Sequence, residues 1–110
     1  MDTIVFLVQG SSPDPYVVSF AWSGTNLTAK CTCPAGRVGQ HCKHRLAILR
    51  GLADGIVSPN HADVGRVRDC LPGTDVERAI FELAEAESQF EQAKRKLAGV
   101  KKKVVRVMSG

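Results

Sequence analysis

The sequence predicts an α+β fold, a small antiparallel sheet followed by helices, and three observations lead to it. Residues 16–22 alternate strictly, with Tyr16, Val18, Phe20 and Trp22 on one face and Val17, Ser19 and Ala21 on the other. Leu46, Ile48, Leu49 and Leu52 form an apolar stripe close to helical spacing. A far longer helical pattern then opens at Thr74 behind Pro72-Gly73.

Taken in order, residues 3–9 are rich in Ile, Val, Leu and Phe and read as a strand apolar on both faces, hence covered from both sides. The run Gly10-Ser11-Ser12-Pro13-Asp14-Pro15 is turn chemistry. The alternating strand 16–22 follows, then the turn Ser23-Gly24-Thr25-Asn26 and a third strand over 27–33, so a meander is the simplest topology. A helix is expected from Lys43 to about residues 53–55. Within 56–73, Ser58-Pro59-Asn60 suggests a turn or helix start, and residues 63–71 fit a short helix. Thr74 opens the longest helix with Glu77 three residues on, a capping box, and Gly99 is its natural stop. Residues 100–110 are expected as a basic tail or an edge strand through Val104, Val105 and Val107. The organisation expected is therefore 1–55 as one small module with its N-terminal strand, 56–73 as a connecting segment, 74–99 as a long amphipathic helix and 100–110 as the tail.

The 110 residues amount to one domain with a thin core. An apolar content of 44% with 24% charged residues belongs to an ordinary globular chain and excludes a disordered tail. The apolar run 4–8 is too short for a signal-peptide core and follows Asp2 rather than basic residues. No stretch approaches the roughly 18 to 20 apolar residues that a membrane helix needs. A cytoplasmic location is expected, where thiols stay reduced and four cysteines suggest a metal rather than disulfides. The formal net charge of +4 hides a strong pattern. Residues 16–53 carry Lys30, Arg37, Lys43, Arg45 and Arg50 and no acid, residues 54–92 are acidic, and residues 94–110 carry bases only.

Cys31-Thr32-Cys33, eight further residues, then Cys42-Lys43-His44 make the pattern C-x-C-x8-C-x-H. On an extended strand, side chains two apart point the same way, so Cys31 and Cys33 can meet at one ion. On a regular helix, residues two apart diverge by about 200 degrees. Cys42 is therefore expected just before the helix and His44 in its first turn, where a thiolate also gains from the positive helix end. Residues 34–40 supply the return. Three thiolates and one imidazole fill the tetrahedral shell that zinc prefers and leave no open position, which argues for one structural ion. The resulting negative charge is softened by Lys30, Lys43 and Arg45, and binding would add folding energy to a chain with a thin core. His41 is a second nitrogen close by, and spacing alone leaves it open beside His44.

These residues, from the strand beginning Tyr16-Val17-Val18-Ser19-Phe20 through Cys31-Thr32-Cys33-Pro34 to Cys42-Lys43-His44-Arg45-Leu46-Ala47, resemble the SWIM zinc finger. The resemblance covers about residues 1–55. It implies a strand-strand-helix zinc module with Cys31, Cys33, Cys42 and His44 as ligands, His44 being selected over His41. Such fingers occur in helicase-related ATPases, transposase-derived factors, ubiquitin ligases and recombination accessory proteins, and are taken to bind DNA or other proteins. Nothing resembling those larger enzymes accompanies the finger here.

The expected function is a zinc-stabilised module that contacts DNA through Lys30, Arg37, Lys43 and Arg45 of the finger and Lys101, Lys102 and Lys103 of the tail. The alternative is a protein-interaction adaptor using the finger and the C-terminal helix. An enzyme is not expected: no acid lies in residues 16–53 to serve a zinc deaminase, and a catalytic zinc keeps a position free. The Tyr16, Val18, Phe20 and Trp22 face could stack bases, but with 5% aromatics the chain needs it for its core. Cys70 and His61 read as a core thiol and a surface imidazole. In the long helix, Val76, Leu83, Phe90 and Leu97 recur every seven residues with Ala79, Ala86 and Ala93 between them, and acids precede bases along it. Either this seam covers the chain's own sheet, or two copies pair antiparallel as a homodimer.

Overall fold

The computed structural model describes residues 2–110 and has the expected α+β architecture. It divides into two compact units, Met1–Glu77 and Arg78–Gly110. In the first unit, β1 (Asp2–Val8), β2 (Tyr16–Ser23) and β3 (Asn26–Cys31) form an antiparallel meander in the order β1-β2-β3. The register places Ile4 opposite Phe20, Phe6 opposite Val18 and Val8 opposite Tyr16, while Val18 also faces Cys31. One sheet face therefore carries the core: Phe6, Val18 and Phe20 are completely buried, and the rings of Phe6 and Phe20 meet edge to face at 6.1 Å. Ile48 and Leu49 of α2 (Lys43–Leu49) and Val67 of α3 (Val64–Cys70) are the helical residues buried with it. The alternating face of β2 thus packs inward, with Tyr16, Val18 and Phe20 buried and Trp22 half-buried.

Three expectations need correction. First, β1 is covered on one face only, since Val5 and Leu7 are 46% and 39% exposed. What β1 gains instead is a partner along its free edge. Gln9 N–H donates to the Gly55 carbonyl and Val57 N–H to the Leu7 carbonyl, both at 2.8 Å, and Leu7 N–H donates to Ser58 Oγ at 3.1 Å. Asn60 Nδ2 adds a bond to the Val5 carbonyl at 2.8 Å. The connecting segment therefore satisfies an edge that would otherwise offer its backbone to another chain.

Second, α2 ends at Leu49, earlier than its apolar stripe suggests. Gly51 takes φ +83°, its N–H reaches the Ile48 carbonyl, and Leu52 N–H reaches Ala47. This Schellman closure needs a left-handed residue just past the helix, which glycine adopts without a Cβ penalty. Leu52, counted in the stripe, lies beyond the stop.

Third, the long helix α4 (Asp75–Met108) runs through Gly99 instead of ending there, so the separate tail of residues 100–110 is almost wholly helical. Gly99 keeps a negative φ. A mid-helix glycine costs only about 1 kcal/mol against alanine, and here it is flanked by Leu97, Ala98 and three lysines with no proline to stop the helix. Bases near the C-terminal end also suit the helix dipole, so the valines of 100–107 stay helical rather than forming a strand. Thr74 caps the helix start as expected, with Glu77 N–H donating to Thr74 Oγ1 at 3.2 Å. The Glu77 carboxylate accepts from Gly73 N–H at 3.0 Å, one residue before the position of the full capping box, since Thr74 N–H is taken by the Leu71 carbonyl. Asp75 ties this start to the β2–β3 hairpin, accepting from Leu27 N–H at 3.0 Å and donating its own N–H to the Thr25 carbonyl. Among the described residues, no helix is long and apolar enough to cross a membrane.

Candidate metal centre

Cys31 ends β3 and Cys33 follows two residues on. Thr32 between them continues the ladder to β2, donating its N–H to the Val17 carbonyl at 3.1 Å and accepting Val17 N–H on Oγ1 at 2.9 Å. The backbone thus stays extended past the strand's end, and both cysteine side chains emerge on one side. The return residues open with a single helical turn, α1 (Pro34–Arg37). Pro34 supplies its preset φ at the first position, and Cys33 caps the turn with its sulfur, which accepts Gly36 N–H at 3.3 Å. A Cβ at Gly36 would overlap the Cys31 carbonyl, so this turn packs against the end of β3 only with glycine there.

On the other side, Cys42 holds the extended N-cap position of α2 and His44 its second residue, as the angular argument requires. The donor atoms of Cys31, Cys33, Cys42 and His44 all lie within 4.8 Å of one another. The Cys33 and Cys42 sulfurs are 3.4 Å apart, and His44 Nδ1 is 3.6 Å from the Cys42 sulfur and 3.8 Å from the Cys31 sulfur. In a tetrahedral shell with bonds of about 2.3 Å to sulfur and 2.0 Å to nitrogen, the edges between donors are about 3.5 to 3.8 Å. The four groups therefore fit a single metal ion. His41 is exposed and is not in the cluster.

The three cysteines are 3 to 5% exposed. Burial pushes the Cys31 thiol up to about 12, reinforced by the neighbouring Cys33 and Cys42 groups. Burial also opposes the Cys42 thiolate, but donors outweigh it, the Arg45 backbone N–H first and then the groups of Cys33, His44 and Cys31, and lower it to about 6. Three thiolates this close together repel one another, and a bound cation would offset that repulsion.

Neighbouring groups hold the donors in place. The Cys33 N–H donates to the Cys31 sulfur at 3.4 Å, and the Tyr16 ring lies 5.3 Å from the His44 imidazole. Tyr16, read from sequence as a core residue in preference to a base-stacking one, thus also packs beside the His44 ring. Cys33, Cys42 and His44 line an open cleft of about 640 Å³, in which Asp54, outside the donor group, is the single carboxylate among the described residues.

The basic residues divide. Lys30, Arg37, Lys43, Lys101, Lys102 and Lys103 are exposed, and among the described residues none pairs with a carboxylate. Arg45 is half-buried, and its guanidinium donates to the Ala29 carbonyl at 3.1 Å and the Gln40 carbonyl at 2.7 Å. It clips β3 to the end of the return segment. An arginine flanked by metal ligands carries no sequence signal that separates this role from phosphate contact. Cys70 is apart from the cluster, donating to the Val67 carbonyl at 2.9 Å with its thiol raised by burial. Compared with models of known protein families, with curated proteins and with solved structures, the chain matches none.

Proposed function

We propose that this chain is a SWIM-type module in which Cys31, Cys33, Cys42 and His44 hold one structural zinc ion, and that it binds nucleic acid rather than catalysing a reaction. The observation that carries the reading is the convergence of four protein donors at the junction of β3, α1 and α2, all within 4.8 Å of one another and three of their pairs 3.4 to 3.8 Å apart. Three thiolates with one imidazole are a soft, tetrahedral donor set suited to zinc, and a shell filled by protein leaves no position for water or substrate. Nucleic acid is favoured because Lys30, Arg37 and Lys43 are exposed without carboxylate partners in a stretch, residues 16–53, that has no acid at all. Arg45, committed to two carbonyls, leaves the contact set. Lys101, Lys102 and Lys103 form a second basic cluster, on α4.

A second reading, a protein-interaction adaptor, draws on the open sheet face, where Val5, Leu7 and Val17 are 46%, 39% and 39% exposed. Metal analysis by mass spectrometry, paired with a mobility shift on random duplex DNA over a range of salt, separates the two. One zinc per chain is expected, with affinity falling as salt rises at a log-log slope of about −0.9 for each phosphate contacted. Replacing Lys30, Arg37 and Lys43 with alanine should weaken binding and flatten that slope. Absence of zinc would overturn the metal reading. One zinc with no DNA binding, or binding insensitive to salt, would favour the adaptor.

A further inference from the structure

Because α4 is continuous through Gly99, its apolar seam is longer than residues 74–99 allow. In heptad terms Ala79, Leu83, Ala86, Phe90, Ala93, Leu97, Val100 and Val104 form one unbroken a/d stripe. No residue of α4 is buried, and Phe90, Leu97, Val100 and Val104 are 63%, 55%, 49% and 49% exposed. Val76, which would extend the stripe, instead lines a groove of the finger with Leu27, Leu46 and Leu49.

We infer that this stripe is the interface for a second copy of the same chain, packed antiparallel through α4. Two features of the sequence on the helix select that occupant. The first is volume. Antiparallel pairing about the middle of the stripe sets Phe90 against Ala93 of the second copy, Leu97 against its Ala86, Leu83 against its Val100 and Val104 against its Ala79. Three of the four layers match a large residue to an alanine, so the stripe is complementary to itself when reversed. The second is charge at the flanking e and g positions. The same register sets Glu82 against the second copy's Lys103 and Glu87 against its Lys94, each occurring twice by symmetry. A parallel pair would set Glu82 against Glu87 and Lys96 against Lys101, repulsion at every such charged pairing. In the single chain Lys94 lies 3.6 Å from Glu91 and 5.3 Å from the Phe90 ring centre, an exposed contact too weak to compete with these pairings.

Sedimentation of the full chain at micromolar concentrations tests this, with helicity followed by circular dichroism. The expected species is a dimer, twice the 11.9 kDa chain mass. Phe90→Glu should give a monomer that keeps its helical signal. Glu87→Lys reads the orientation: antiparallel pairing turns two attractions into repulsions and raises the dissociation constant about tenfold, whereas parallel pairing would create attractions and tighten the dimer. A monomer at every concentration, a dimer indifferent to Phe90→Glu, or tightening by Glu87→Lys would each overturn the inference. None of these outcomes depends on the metal or on DNA.

Discussion

The two units are stabilised in opposite ways. The Met1–Glu77 unit buries a small core, Phe6, Val18, Phe20 and Val67 at its centre, and gathers a four-donor cluster at its margin. The Arg78–Gly110 unit is a single helix in which nothing is buried. In the first, strand pairing and side chains meeting across the sheet and helices hold the fold. In the second, hydrogen bonds are local to the helix and most of the large apolar residues are left exposed. A thin-cored domain and a solitary helix both gain from stabilisation beyond their own packing, for which the one offers a cluster of metal-binding donors and the other an exposed apolar stripe.

The largest effect that would separate the units is metal removal. A structural zinc contributes an apparent ~10 to 16 kcal/mol at neutral pH, comparable to the whole stability of a small domain. Cys42→Ser, or a strong chelator, should therefore unfold the first unit and leave much of the α4 helical signal. Trp22, the only tryptophan, lies in β2, so its fluorescence reports on that unit while circular dichroism reports mainly on the helix. A native Trp22 spectrum in Cys42→Ser would break the comparison. Acid should act in the same direction, because thiolates and imidazole bind metal only when unprotonated; affinity falls as pH falls and recovers when it is raised.

Next in size is Gly36→Ala. With its Cβ driven into the Cys31 carbonyl, α1 must move away from β3 and carry the Cys33 sulfur with it. Metal affinity should fall by about 10- to 100-fold, as it does when groups orienting a ligand are lost, measured by competition with a coloured chelator. An unchanged affinity would mean that the Cys33 cap is not needed to hold the shell.

Arg45→Ala removes two charge-assisted bonds to carbonyls and should cost about 2 kcal/mol in a urea titration of the metal-loaded protein. Its effect on DNA binding should be smaller than that of Lys43→Ala, since only Lys43 is free to meet phosphate. Smallest is Thr74→Ala, which deletes the cap accepting Glu77 N–H and should cost about 1 kcal/mol, read as a modest drop in the first unit's midpoint.

Much of the candidate site was legible because its signals are local. The strand period places Cys31 and Cys33 together, and the helical period forces Cys42 outside α2 and His44 into its first turn; neither argument needs the rest of the chain. The Thr74 cap that accepts Glu77 N–H was readable for the same reason. Gly51 carried a stop signal that the apolar stripe running on to Leu52 outweighed, and Gly99 carried one that its neighbours cancelled.

By itself, then, the sequence determined the meander, the convergence of three cysteines with a histidine beside them and the long amphipathic helix, because each depends on spacing within a few residues and on the two fixed periods of the backbone. It is the fold that brings His44 and not His41 to the sulfurs. Only the tertiary structure decided the rest. Val5 and Leu7 face outward because the helices cover one side of the sheet, and residues 55–60 guard the β1 edge because the chain returns there. Arg45 serves the fold and Tyr16 serves His44 because residues distant in sequence come to lie beside them. A side chain's role in such places is set by its neighbours across the fold, and those neighbours are not written in its local pattern.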